Sequence, residues 1–178
     1  MEICYRPIGQ EELDLVLFSA FDRRQNVTDC YRRAEDGSWR ICFDPFIDDW
    51  TTEDFAFLVQ CLRCTVAKGG VVFGAFAAGR LKGFCSVEAP PLGTRGQYRD
   101  LTSLHVSREL RGQGIGSHLF ALAADAARRL GGEKLYLSAH SAVETQAFYR
   151  GIGCVDAEEI VAAHAELEPF DCQLEYKL

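Results

Sequence analysis

A chain of 178 residues with 48% hydrophobic content and a net charge of −7 is long enough to bury one substantial core and too short for two full domains. The acidic balance argues against a sequence-independent nucleic-acid binder, whose affinity needs a basic face, and is compatible with a cationic partner such as an amine. No apolar run is long enough to span a membrane, and Met1-Glu2-Ile3-Cys4-Tyr5-Arg6 lacks the basic-then-apolar pattern of a secretion signal, so the expected location is cytoplasmic.

Residues 3–8 read as a first strand. Residues 11–23 read as a helix, with Leu13, Val16, Leu17 and Ala20 at helical spacing. Residues 26–50 are irregular, with a turn at Asp36-Gly37 and a short strand over 39–43. Thr51 and Asp54 have capping-box spacing and open a helix whose apolar stripe is Phe55, Leu58, Val59, Leu62 and Val66; Gly69-Gly70 ends it. Two apolar runs, 71–77 and 81–88, flank Ala78-Gly79-Arg80 and predict a hairpin. Pro90-Pro91 and the stretch from Gly93 to Gly96 connect it to a strand over 100–106. A helix follows over 115–130, with Ile115, Leu119, Leu122, Ala123, Ala126 and Leu130 on one side and Gly131-Gly132 as its stop. A buried strand over 134–139, a short helix over 142–150 and a final strand over 172–176 complete the chain. Mixed strands and helices around a central hairpin predict an α+β layered fold in a single domain spanning residues 1–178.

The cysteines, Cys4, Cys30, Cys42, Cys61, Cys64, Cys85, Cys154 and Cys172, are scattered beside apolar residues in a domain that needs no staples, so they read as reduced, buried thiols. Cys61-Leu62-Arg63-Cys64 lies inside a predicted helix and lacks a second cysteine or histidine pair, which argues against zinc or redox chemistry; no metal is expected.

The most informative stretch is Arg111-Gly112-Gln113-Gly114-Ile115-Gly116-Ser117, between the strand over 100–106 and the helix that follows. Glycines let the backbone turn sharply there and bring successive N–H groups to a helix start, where unpaired donors and the dipole favour an anion. A nucleotide P-loop would require Gly-Lys-Ser/Thr, but Gly116 is followed by Ser117 and His118. A dinucleotide fingerprint would require a third glycine where Ser117 or Leu119 stands. The remaining reading is a diphosphate cradle.

Arg-x-x-Gly-x-Gly after a strand ending Leu104-His105-Val106 resembles the coenzyme A loop of the GNAT superfamily of N-acetyltransferases. Phe148-Tyr149-Arg150-Gly151-Ile152-Gly153-Cys154 is similar to the family's Phe-Tyr-x-x-x-Gly-Phe helix end, with cysteine replacing the last aromatic. The resemblance is specific over residues 100–154. It implies the GNAT sheet, mixed, partly antiparallel and splayed near its centre. It also implies acetyl-CoA as cosubstrate, held by Leu104, His105, Val106, Arg111, Gly112, Gln113, Gly114, Ile115, Gly116 and Ser117. Backbone donors of the loop would hold the pyrophosphate, Arg111 would add charge or position the loop, and the strand end would pair with the pantetheine amides and offer an oxyanion donor. Many members carry an asparagine where this chain has Ala142; Ser138, Ser141 and Thr145 are the nearby substitutes.

Tyr149 matches the family's general acid. Neighbouring helix residues point about 100° apart, so Phe148 can pack while Tyr149 faces a cleft; the competing reading is a core aromatic. For the base, strand alternation puts Asp100 on the face of Thr102, Leu104 and Val106, and some members place a carboxylate at this position. The competing readings are a solvated strand start and, as another base, Glu88. His118 reads as surface, beside Asp125 and Arg129, while His105 packs across the sheet. His140 stands where the resemblance opens the acceptor cleft. His164 accompanies Glu159, Glu166 and Glu168 in an unsupported metal grouping. Asp44, Asp48, Asp49, Glu53 and Asp54 flank Phe43, Phe46 and Trp50 and either attract an ammonium or serve as a charged, capped helix start.

The resulting expectation is an acyltransferase that moves the acetyl group of acetyl-CoA directly to a primary amine. The alternative is a non-catalytic acyl-CoA-binding sensor or interaction module. Neither nucleic acid nor membrane is an expected partner, and a homodimer is compatible with the sequence.

Overall fold

The computed structural model describes residues 2–178. In chain order the elements are β1 (Ile3–Pro7), β2 (Gln25–Arg33), β3 (Trp39–Asp48), α1 (Thr52–Ala67), β4 (Val71–Ala77), β5 (Arg80–Val87), β6 (Tyr98–Val106), α2 (Ile115–Arg129), β7 (Lys134–Ala139), α3 (Val143–Gly151), β8 (Val155–Asp156), α4 (Ala162–Leu167) and β9 (Cys172–Lys177). The main sheet runs β1-β4-β5-β6-β7-β9-β8, and β2 and β3 form a separate hairpin. Only β6 and β7 pair in parallel; every other neighbouring pair is antiparallel. This is the mixed α+β sheet expected from the sequence.

The central strands are apolar runs because both faces are covered. On one face Phe73, Ala75, Cys85, Val87 and Leu101 pack against Leu119, Ala123 and Ala126 of α2. On the other, Val72, Phe76, Leu81 and Phe84 meet Val59 and Leu62 of α1 together with Leu13, Phe18 and Phe21. α1 starts where its sequence says it should: Thr51 Oγ1 accepts from the Asp54 N–H, and Asp54 Oδ2 accepts from the Thr51 N–H.

Three expectations need correction. Residues 11–23 are not a helix but a short 3-10 turn at Gln10–Glu12 followed by successive turns. Asp14 Oδ1 accepts the Leu17 N–H at 2.8 Å, diverting a donor that a helix would direct to the Leu13 carbonyl, and Leu13 O instead accepts from Arg63. The residues that reach the core are Leu13, Phe18 and Phe21, while Val16 is 76% exposed. Residues 26–50 are not irregular but a long hairpin closed by the expected turn, where Gly37 takes φ 80°. A register shift between Val27 and Asp29 accommodates Pro45 opposite. Finally, all the cysteines are free, but Cys4, Cys42, Cys61 and Cys64 are exposed rather than buried. Cys61 and Cys64, on α1, border the main cleft.

No helix among the described residues is long and apolar enough to cross a membrane.

Candidate active site

The parallel pairing of β6 and β7 lasts only from Tyr98↔Lys134 to Asp100↔Tyr136. Beyond it the strands part, and the opening widens into a cleft of about 1400 Å³. That exceeds the roughly 300–1,000 Å³ of ordinary small-molecule pockets, leaving room for two reactants.

One wall is the open edge of β6. Ser107 donates its N–H to Lys82 O at 2.8 Å, and Val106 stands opposite Gly83. In an antiparallel ladder the residues facing the partner alternate, so Leu104 and Val106 turn their backbone groups away from β5 and into the opening. The Val106 carbonyl accepts from Arg111 Nε at 2.9 Å. The N–H groups of Leu104 and Val106 are left facing the cleft.

At the mouth stands the glycine loop. Gly112 and Gly114 have φ of 73° and 81°, and a Cβ on either would meet nothing within 4 Å. These conformations are costly for other residues. Gly116 instead permits contact, since its Cβ would lie 3.2 Å from the Phe148 ring. The first N–H of α2 with a backbone acceptor is that of His118, bonded to Gly114 O at 3.1 Å; among the described residues, the N–H groups of 112–117 have none. Gln113 sends its side chain back to Glu109 O. Arg111 is an anchor: Nη2 donates to Arg23 O at 2.8 Å while Nε holds the end of β6. Its guanidinium is half-buried beside Arg23, and desolvation lowers its proton affinity.

Tyr149 lines the cleft from α3 and is 8% exposed. Burial, with Cys154, Cys85 and Asp171 nearby, pushes its phenol upward, so it stays protonated. Phe148 lies beside it on the same wall, 5.0 Å between ring centroids. α3 is fastened to the end of β7 by Gln146 Nε2, which donates to Ala139 O and His140 O.

Asp100 does not reach this cleft. It is 7% exposed, and its Oδ2 meets His164 Nε2 at 2.7 Å. The alternation that was to align it with Leu104 and Val106 is broken: Ser86 pairs with Ser103 but Val87 with Leu101, leaving Thr102 as a bulge. Leu101 therefore packs on the α2 face along with Leu104 and Val106, and Asp100 falls on the other. Glu88 does line the cleft, with Oε1 accepting from Thr65 Oγ1.

Ala142 has no exposed surface. It packs against Val27 and Cys30 of β2, bridges Cys30, and lies beside Ser141, whose carbonyl accepts the Tyr31 N–H at 2.8 Å. The hairpin thus occupies the space an asparagine side chain would need. Of its suggested substitutes, Ser138 and Thr145 line the cleft, whereas Ser141 is buried and bonded by Arg32 Nη1 at 2.7 Å.

His105 packs between Phe84 and Trp50 and borders the cleft; desolvation, then Arg23 and Arg111, pushes its imidazole well below the ordinary value. His140 also borders it, and its Nδ1 accepts the Ala142 N–H at 3.1 Å. His118 is exposed and stacks on Tyr5, with centroids 3.8 Å apart. Of the residues grouped with His164, Glu159 bonds Thr94 and Gln97 instead, while Glu168 stays beside it. The acidic residues around Trp50 are largely committed to the fold, Asp44 to Arg32, Asp48 to Arg23 and Asp54 to the cap of α1.

The sequence reading did not single out Asp171. It precedes β9, lines the cleft, and has its carboxyl pushed up to about 7 by burial and by Glu168 beside it. Its only signal was an acid just ahead of a strand, in a run with Glu166 and Glu168 that resembles solvated surface.

The model of the Acetyltransferase (GNAT) family matches residues 26–154. No curated protein matches the chain. Among solved structures, nourseothricin acetyltransferase is similar over 98% of this chain and 96% of its own, with TM-score 0.67 and 19% identity. A Bacillus anthracis protein in complex with acetyl coenzyme A is similar over 100% and 98%, with TM-score 0.72 and 16% identity. PaiA N-acetyltransferase from Thermoplasma acidophilum, in complex with coenzyme A, is similar over 100% of each chain, with TM-score 0.62 and 16% identity. Identities this low carry the fold and no finer property.

Proposed function

The chain belongs to the GNAT acetyltransferase family, and from that premise we propose that it is an N-acetyltransferase, moving the acetyl group of acetyl-CoA directly to a primary amine. The observation that carries the reading is the run of N–H groups at 112–117, without backbone acceptors, at the mouth of a cleft that leads between β6 and β7 to Tyr149.

The residues fit acetyl-CoA. The loop amides and the N-terminal end of α2 suit a diphosphate, and Arg111 holds the loop in place rather than meeting the phosphates itself. Leu104 and Val106 offer a strand edge to the pantetheine amides, and an N–H there stabilises negative charge on the thioester oxygen. Ser138 and Thr145, which line the cleft, would supply polar contacts to that arm. Tyr149 donates its proton to the departing thiolate; a thiol pKa near ~8.5 against ~10 for a phenol makes this a modest demand.

The cleft lining includes Glu88, Glu168 and Asp171, carboxylates that suit a cation. A primary amine, as its ammonium, suits that lining. Nourseothricin acetyltransferase and aminoglycoside 6'-N-acetyltransferase share the fold, which makes small cationic amines the first acceptors to try.

A second reading, an acyl-CoA sensor without catalysis, draws support from the locking of Asp100 to His164. Thiol release from acetyl-CoA across a panel of primary amines separates the two. An amine-dependent rate supports the transferase; coenzyme A binding with no release under any amine supports the sensor.

A further inference from the structure

With Asp100 tied to His164, few groups remain to take the proton of an attacking ammonium. Asp48 and Asp44 are paired with arginines, Asp54 caps α1, and Glu88 accepts from Thr65. His140 has its one free lone pair engaged by the Ala142 N–H, so in its neutral form it is a donor at Nε2. His105 is a weak base, desolvated by burial and further disfavoured as a cation by Arg23 and Arg111. Glu144 stands exposed at the start of α3.

Asp171 differs from all of these. Cys172 pairs with Ala139 at the end of β7, which sets Asp171 just past the segment of β7 that has parted from β6. It borders the main cleft together with Tyr149, and also a side recess of about 340 Å³ that it shares with Glu168 and His140. Its side-chain partners are Ser138 Oγ at 3.5 Å and the neighbouring Glu168 carboxyl, and no Lys or Arg pairs with it among the described residues. We propose that Asp171 is the general base of the transfer, taking a proton from the acceptor ammonium at the junction of cleft and recess, with Glu168 beside it attracting the cation. This rests on the N-acetyltransferase reading.

The step balances. The ammonium gives one proton to the Asp171 carboxylate, and the freed lone pair forms the C–N bond while the carbonyl π pair moves to oxygen. That pair then re-forms C=O and the C–S bond breaks. The thiolate takes the Tyr149 proton, the second nitrogen proton restores Tyr149, and Asp171 returns its proton to water.

The groups that face Asp171 explain its basicity: Glu168 on its own connection, Ser138 and His140 at the end of β7, and Asp48 with Asp44 and Arg32 on the hairpin. Burial and the two carboxylates raise it, Ser138 lowers it, and a base near neutrality is well matched to its task. Because the folded carboxyl binds its proton more tightly than the unfolded one, the protein loses stability as pH rises from the group's unfolded value of about 4 to its folded value.

The test compares wild type with Asp171→Asn and Asp171→Glu. At saturating acetyl-CoA, kcat/KM for an active amine should rise with pH through a limb near neutrality. Asp171→Asn should lower it by about 10²-fold or more and abolish the limb, Asp171→Glu should recover much of the loss, and coenzyme A affinity by calorimetry should stay close to wild type. Independently of turnover, Tm of wild type should fall relative to Asp171→Asn between about pH 4 and about pH 7 and run parallel to it above that. An asparagine variant with wild-type kcat/KM and an intact limb overturns the base, as do Tm profiles parallel across the whole range. Failure of every amine with wild type, with the Tm difference present, instead removes the transferase reading.

Discussion

His164 Nε2 lies 2.7 Å from Asp100 Oδ2, clasping the connection before β9 onto the last paired residues of β6 and β7. The contact is shielded, the two side chains being 26% and 11% exposed, and His164 also stacks on Tyr136. The pair thus fastens that connection to the sheet, and neither residue lines the cleft.

Asp100→Asn should accordingly keep turnover close to wild type while losing about 1–3 kcal/mol of stability, the scale of a shielded charge-assisted hydrogen bond. Asp100 raises the proton affinity of His164, so this contribution is fully present below the unfolded imidazole value of about 6.5 and is lost as pH rises through the folded one. Chemical denaturation across that window checks the sign. A large fall in kcat with unchanged stability would restore Asp100 as the base.

Tyr149→Phe removes only a hydroxyl from a buried ring, so the fold and coenzyme A affinity should persist. The rate should fall by about 10²-fold, the low end for an acid assisting a good leaving group. Since burial keeps the phenol protonated, no alkaline decline in wild type should trace to it. Unchanged turnover of an active amine would reduce Tyr149 to a packing residue.

Gly114→Ala places a side chain at φ 81° with no protein atom within 4 Å of its Cβ. Strain should cost about 1–2 kcal/mol, and the new methyl would stand on the side proposed for the diphosphate. Coenzyme A affinity should fall by more than that strain explains. Calorimetry alongside thermal melting separates the two effects.

Ala142→Asn restores the residue common in the family, yet affinity for coenzyme A should not improve. The site is filled by Val27 and Cys30, and overpacking should cost about 1–3 kcal/mol. Tighter binding of coenzyme A by this variant would mean that the hairpin yields.

Much of the fold was readable because its central strands are buried on both faces and punctuated by glycine. The β4–β5 hairpin, the stop after α2 and the strand Lys134–Ala139 follow directly from that pattern. The capping pair Thr51 and Asp54 was legible for the same local reason. What escaped were features set by distant contacts. The bulge at Thr102 carries no Gly or Pro to mark it, yet it decides which face Asp100 occupies. The β2–β3 hairpin is largely exposed on β3 and docks through the Tyr31 N–H and Arg32 on Ser141 and through Val27 and Cys30 on Ala142, so neither strand shows the alternation of a half-buried surface. The burial of Ala142 depends on that hairpin, and the basicity of Asp171 on side chains brought in from β7, β3 and its own loop.

The most direct test of the proposed cosubstrate site is a crystal structure of the protein with coenzyme A. The diphosphate should lie against the N–H groups of residues 112–117, the pantetheine arm along Leu104 and Val106, and the sulfur within hydrogen-bond reach of the Tyr149 hydroxyl. Coenzyme A bound elsewhere, or a sulfur remote from Tyr149 with the loop amides facing only water, would contradict it.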